Sequence, residues 1–246
     1  MDEGRAGYQR RRLALLSSNI QLSESRGLEV GASDLPTVPK TVGSCRYADF
    51  RTAKEMVELW NLPAETVCHV DYLLTRNRGI LEQIPDRFDY IVACHVLEHV
   101  PDVITYINDL KSLLDQGPGK AILLTLPDKR APLDGTRPST TIERLLAYHY
   151  NQIKYPLFDH VLEFHRHWAG YGNGGGPLPI AEAYEFTERN WKSGEADAHC
   201  HVWEDKEFLS QSRELIEGGF LPGLRIAHFE PNFEGTNEFA IVFKTV

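Results

Sequence analysis

Six of this chain's histidines sit where a proton or a metal ion could be handled: His95, His99, His165, His167, His199 and His201. Imidazole is the side chain that titrates closest to neutrality, which suits it to proton transfer. Four of the six form two H-x-H pairs, His165-Arg166-His167 and His199-Cys200-His201. On a strand, residues i and i+2 point to one face. His199 and His201 could then chelate zinc, iron or manganese together with Asp197. On a helix the same spacing diverges, and His165 and His167 could not share an ion. The competing reading has these histidines hydrogen-bonding within a cap or lining an acceptor pocket, with no metal, and that is the expectation adopted. His99 is expected to pack at the start of a helix. The glycine-rich stretch Gly170 to Pro179, with Gly172, Gly174, Gly175 and Gly176, lacks the G-x-x-x-x-G-K-[ST] phosphate pattern and reads as a surface loop or lid. Cys45, Cys68, Cys94 and Cys200 are scattered without a C-x-x-C pair and are expected to be free thiols, mostly buried.

The elements that must position these residues alternate. Short apolar runs at Arg26–Val30, Cys45–Ala48, Thr66–Val70, Phe88–Ala93 and Lys120–Leu126 read as buried parallel strands. Between them, Asp102–Leu114 carries an apolar stripe at helical spacing, with Pro101 near its first turn. The alternation predicts βαβ units and a parallel sheet. After the fifth strand, Thr140 to about Trp168 reads as helical with a break near Pro156. Asp205–Glu217 reads as a helix closed by Gly218-Gly219. Leu224–Phe229 and Glu238–Val246 read as two final strands. A single domain over residues 1–246 is expected, with residues 128–203 inserted as a cap that binds the acceptor.

In an open α/β sheet, ligands lie beyond the carboxyl ends of the strands. Gly31 follows the first strand, and Asp49 ends the second, eighteen residues later. A glycine there admits a ligand to the backbone, and a carboxylate there can accept both hydroxyls of a ribose. Asp71, ending the third predicted strand, could accept from an adenine amino group.

The run Phe88 to Asp102, FDYIVACHVLEHVPD, resembles the fourth-strand motif of class I S-adenosylmethionine-dependent methyltransferases. Leu123 to Arg130, LLTLPDKR, is similar to their fifth strand and following loop. Arg137-Pro138, Thr140 or Thr141 with Ile142 to Leu146, and His199 to Trp203 resemble segments of a subgroup from cell-surface glycan and natural-product biosynthesis. The resemblance spans Leu28 to Val246 and is most specific at HVLEH. It implies a Rossmann-like seven-stranded α/β sheet in the order 3-2-1-4-5-7-6, the last strand antiparallel, and S-adenosylmethionine as cofactor. It also implies cofactor contacts from Glu29, Gly31, Ala32, Asp49, Asp71, Tyr72, Cys94, His95 and Glu98. Glu29 and Gly31 would line the methionine part, Asp49 the ribose, Asp71 and Tyr72 the adenine, and Cys94, His95 and Glu98 the sulfonium. His95, His199 and His201 are the candidate catalytic residues. The first loop departs from the family's E-x-G-x-G-x-G: it reads Glu29-Val30-Gly31-Ala32-Ser33-Asp34-Leu35-Pro36, a G-x-x-x-x-P form that narrows the loop and adds a negative charge.

Composition bounds the partners. A net charge of −9 opposes a phosphate backbone as ligand. The cluster Arg10-Arg11-Arg12 reads as part of a solvated N-terminal helix. No apolar run is long enough to span a membrane, so a cytoplasmic location is expected. The expected activity is O-methylation of a sugar or secondary metabolite, with a small-molecule acceptor, no nucleic acid and no membrane as partners; a homodimer is left open. The alternative is a non-methylating, metal-dependent enzyme on the same fold using the His-rich cap.

Overall fold

The computed structural model describes residues 3–76, 78–130, 134–172, 176–193, 197–232 and 236–246. Apolar runs of five to eight residues pair into one seven-stranded sheet. The strands are β1 (Arg26–Val30), β2 (Ser44–Asp49), β3 (Tyr72–Leu73), β4 (Tyr90–Cys94), β5 (Ala121–Pro127), β6 (Leu224–Glu230) and β7 (Glu238–Thr245), with β3 a two-residue exception. Their order is β3-β2-β1-β4-β5-β7-β6, with β7 antiparallel to both neighbours. This is the order the resemblance implied.

Period-two alternation splits the core into two layers. One face presents Leu28, Ile91, Ala93, Ile122, Leu124 and Phe239. Against it pack α4 (Val103–Ser112), through Ile104, Ile107 and Leu110, and α8 (Asp205–Glu217), through Phe208 and Leu215. The other face presents Tyr47, Tyr90, Val92, Leu123 and Val242 to Leu15 and Leu16 of α1 (Glu3–Ser17). Gly27 is required there, since a Cβ would lie 2.0 Å from the Tyr90 ring. Local signals fix the helix starts: Thr52 and Glu55 form a capping box on α2 (Ala53–Trp60), and Asp102 accepts the Thr105 amide at α4 (3.0 Å).

Three expectations change. The third strand is not Thr66–Val70 but Tyr72–Leu73. The β-branched run is drawn off the sheet edge, where Cys68 N–H donates to the Ser33 carbonyl (2.8 Å) in the loop after β1. The region after β5 holds α5 (Ile142–Tyr150), α6 (Phe158–Gly172) and α7 (Ile180–Ser193). The break around Pro156 is there, but α6 runs on through Gly170 and Gly172, and α7 was not read from the sequence. Gly174 and Gly175 lie outside the described residues. Finally, the basic N-terminal cluster is not a solvated face. Arg10 is exposed, but Arg11 pairs with Glu230 (2.7 Å) and Arg12 is buried. No helix among the described residues is long and apolar enough to cross a membrane.

Candidate functional site

The register sets the carboxyl ends of β1, β2 and β4 level with one another. Val30 pairs with Ala48 on one side and with Ala93 on the other, so Gly31, Asp49 and Cys94 stand together at the rim. A cleft of about 400 Å³ opens there, bounded by Glu29, Gly31–Leu35, Cys94, Arg5 and Arg12 of α1, Trp60 at the end of α2 and Leu62 just beyond it. That volume suits a small-molecule ligand. Gly31 has φ +74°, and a Cβ on it would come within 2.9 Å of Val96 Cγ2. Gly31→Ala should therefore cost about 1–2 kcal/mol in backbone strain alone and narrow the cleft; thermal denaturation and cofactor titration read the two effects separately.

The altered loop has its own anchors. Glu29, fully buried, accepts the amides of Thr37 (2.7 Å) and Val38 (3.1 Å). Burial raises its carboxyl's pKa against the pull of those two amides. Glu29 thus borders the cleft, but as the clamp that closes the Gly31–Val38 turn. Asp34 does not leave a bare charge in the cleft: Arg5 holds it with two 2.8 Å contacts and lowers its pKa. Asp49 is half-buried at the rim, holding the Arg51 amide (3.1 Å). Burial raises its pKa against the Arg51 and Phe50 amides. These features fit an adenosyl ligand: an obligatory glycine beside the cleft, an acid at the end of β2, and a neutralised loop.

Two of the residues assigned to the adenine lie elsewhere. Asp71 is level with Tyr47, two residues short of the rim, and its carboxylate accepts the Tyr47 amide (2.9 Å) and Lys40 Nζ (3.3 Å). It completes the β2–β3 ladder. The Tyr72 hydroxyl donates to Asp86, which precedes β4, and so points toward the opposite end of the sheet. Placing the third strand at Thr66–Val70 instead of Tyr72–Leu73 explains both errors.

His95 follows β4 with φ +54°, held by its amide on the Thr125 carbonyl (2.9 Å). Its Nε2 lies 2.8 Å from Glu238 Oε2. Glu238 is buried and also accepts Arg12 through Nε (3.0 Å) and a second, shorter contact. Burial opposes the charge on Glu238, but His95 and Arg12 outweigh it and bring its pKa down to about 2. The result is an Arg12–Glu238–His95 chain that leaves His95 Nδ1 free of Glu238. Neighbouring Cys94 is a thiol at neutral pH, its pKa pushed up to about 11 by burial.

A second cluster lies one turn on. His99 Nδ1 is 2.9 Å from Asp197 Oδ1, and His199 Nδ1 is 2.6 Å from Asp134 Oδ2. Buried Arg137 ties this arrangement together, donating to Asp134 Oδ1 (2.8 Å), Glu163 (3.3 Å) and the His199 carbonyl (2.8 Å). Glu98, 1% exposed, shares the cluster. Its carbonyl receives the amides of Cys200 (2.7 Å) and His201 (3.2 Å), which dock the 197–203 segment onto the turn at Leu97–His99. His99 is therefore a polar member of a site and not a packing residue.

The H-x-H pairs do not chelate. His201 is 1% exposed, stacked on Trp203, with Nε2 on the Pro101 carbonyl (2.9 Å). Burial depresses its pKa to about 3, so it is a neutral core residue and not a catalytic base. Asp197 serves His99 instead. His165 bonds Thr187 (3.1 Å), while His167 bonds Thr136 (2.7 Å) on another side of α6. Sequence reasoning missed Glu238 and Asp134, and named Arg137 only as part of a resemblance, with no role in the site. Only the antiparallel return of β7 brings Glu238 beside Pro127 at the rim.

A mixed sheet in this order, with β7 antiparallel, a glycine turn after β1 and an acid closing β2, defines the class I methyltransferase architecture. The family model for a methyltransferase domain matches residues 3–207, and the chain belongs to that family. The chain therefore carries a methyltransferase domain, and S-adenosylmethionine is the cofactor that this fold implies. A ubiquinone biosynthesis O-methyltransferase from Xanthomonas euvesicatoria pv. vesicatoria is 31% identical over 118 residues, spanning 47% of this chain and 48% of that protein. Among solved structures, a Rhodobacter sphaeroides protein with a provisional Zn-dependent alcohol dehydrogenase name has a TM-score of 0.54 at 14% identity, covering 96% of this chain and 90% of that one. Magnesium protoporphyrin IX methyltransferase from Synechocystis PCC 6803 has a TM-score of 0.48 at 12% identity, covering 98% and 84%. Similarity at these identities concerns the fold alone.

Proposed function

We propose that this chain methylates a hydroxyl of a small-molecule acceptor, a sugar or a secondary metabolite, with His95 as the base. The observation that carries the reading is the buried Glu238 carboxylate 2.8 Å from His95 Nε2, at the end of the strand that borders the cleft. Glu238 fixes the ring with Nε2–H donating, so Nδ1 is the atom that can take a proton. S-adenosylmethionine, when bound, supplies a methyl group on a positively charged sulfur. Methyl transfer to the acceptor oxygen would release the hydroxyl proton, and His95 Nδ1 would take it. Alignment of oxygen, carbon and sulfur in line is the larger contribution, and a fixed base adds to it.

Asp49 is assigned to the ribose and Gly31 to the methionine end. The O-methyltransferase relative supports a hydroxyl acceptor. The net charge of −9 favours a small molecule over a nucleic acid. Calorimetric titration with S-adenosylmethionine and S-adenosylhomocysteine tests the reading. Wild type should bind both, and Asp49→Asn should bind each about 10–100-fold more weakly, the loss expected for hydrogen bonds to a charged acceptor. Absence of binding at millimolar cofactor would sink the proposal.

A further inference from the structure

We propose that Glu98, His99 and His199 bind a divalent transition-metal ion, Zn²⁺, Mn²⁺ or Fe²⁺, whose open coordination positions take the acceptor's oxygen. One donor atom from each residue lies within 4.8 Å of the others, and His99 Nε2 is 3.9 Å from Glu98 Oε1. Donors around a tetrahedral ion bound at about 2.0–2.2 Å stand roughly 3.3 Å apart. Side-chain rotation of about an ångström closes the site.

Three independent features point to a cation. Glu98 is 1% exposed, and neither of its carboxylate oxygens has a hydrogen-bond partner. A buried carboxylate left this way is costly unless a positive charge meets it. Its other neighbours are the His95 and His99 rings, at 3.7 and 3.9 Å. Both proposed histidine ligands also have Nδ1 on a carboxylate, Asp197 for His99 and Asp134 for His199. A proton on Nδ1 leaves the Nε2 lone pair available, the tautomer a metal requires, and carboxylates in this place characteristically orient and strengthen metal-binding histidines. Finally, the pieces are held from outside the cluster. The Cys200 and His201 amides pin the segment to the Glu98 carbonyl, and Arg137 holds both Asp134 and the His199 carbonyl. Two imidazoles and one carboxylate, with remaining positions open, suit borderline divalent ions rather than magnesium or calcium.

The ion would act as a Lewis acid, drawing the acceptor hydroxyl toward its ionised form and fixing it in place. That role rests on the methyl-transfer reading, whereas the metal site stands apart from it.

The test uses the full chain stripped with a chelator, then titrated with Mn²⁺ and Zn²⁺ by calorimetry, with pulsed EPR of the Mn²⁺ form. Wild type should bind one ion per chain and show coupling to imidazole nitrogen. Glu98→Gln, His99→Gln and His199→Gln should each weaken binding by more than 100-fold, while Asp134→Asn and Asp197→Asn should weaken it about 10–100-fold. His228→Gln, on the far edge strand β6, should leave the affinity unchanged. Circular dichroism confirms that each variant is folded. If His99→Gln or His199→Gln fails to fold, the nitrogen coupling in wild type and the loss in Glu98→Gln decide the matter. Wild-type binding no tighter than that of Glu98→Gln, or a bound ion without nitrogen coupling, overturns the proposal. A parallel titration with S-adenosylmethionine separates the two readings: cofactor binding without metal removes only the site, and metal binding without cofactor removes only the methyl-transfer reading.

Discussion

Glu238→Gln should destabilise the protein by about 3–5 kcal/mol at neutral pH, the penalty for breaking a buried ion pair. The substitution leaves Arg12, itself largely buried, facing a neutral amide. Burial works against the Arg12 charge and the hydrogen-bonded Glu238 carboxylate offsets it, so losing Glu238 takes away that partner. The pH dependence has a definite sign. A carboxyl held near 2 in the folded chain against an ordinary 4.5 stabilises the fold above pH 4.5 by ~3 kcal/mol. That contribution is lost as pH falls from 4.5 to 2. Urea denaturation across pH 3–7 should show a fall in wild-type stability over the acid part of that range and a shallower one in Glu238→Gln. Arg12→Met with Glu238→Gln together should recover much of the loss, because no buried charge is then left alone. Catalytically, the variant should lower kcat more than it changes cofactor affinity, since His95 loses the partner that fixes its tautomer. A Glu238→Gln protein within about 1 kcal/mol of wild type at pH 7 would show that the carboxylate is not the keystone the geometry makes it.

The sheet was legible because its strands are continuous apolar runs, and a run such as Ile91–Ala93 has few alternatives. HVLEH was legible because it combines a strand end, a turn and polar residues in a short span. What sequence could not supply was register. Thr66–Val70 has the residue types of a strand, yet the chain pairs two residues later, and that slip moved Asp71 and Tyr72 off the rim. It also could not supply partners far apart in the chain. His95 and Glu238 are 143 positions apart, and His199 and Asp134 are 65. Strand alternation leaves His199 and His201 able to share an ion, as the alternative to the expected reading without a metal. In the fold, neither belongs to a named strand: His199 turns to Asp134 and His201 into the core. The acids that orient each histidine decide its chemistry, and acids are too common in a sequence to be matched without coordinates.

Arg137 makes that dependence measurable. Its side chain is 1% exposed, and its guanidinium reaches Asp134, Glu163 and the His199 carbonyl from one fixed plane. Methionine would fill similar volume but leave Asp134 buried with His199 as its remaining side-chain partner. The expected loss is again about 3–5 kcal/mol. Lysine would not rescue it, because a single ammonium cannot present the fork that meets all three acceptors. Asp134→Asn combined with Arg137→Met should be less destabilised than the sum of the two single variants, since the stranded charge is gone. The double variant would still lack the carboxylate on His199 Nδ1. Stability and the His199 tautomer therefore separate: denaturation should improve from Arg137→Met to the double variant, whereas the His199 ring, followed by nitrogen NMR, should keep its Nδ1–H form only where Asp134 remains. If Arg137→Met unfolds within about 1 kcal/mol of wild type, the buried guanidinium does not hold the cap to the catalytic face.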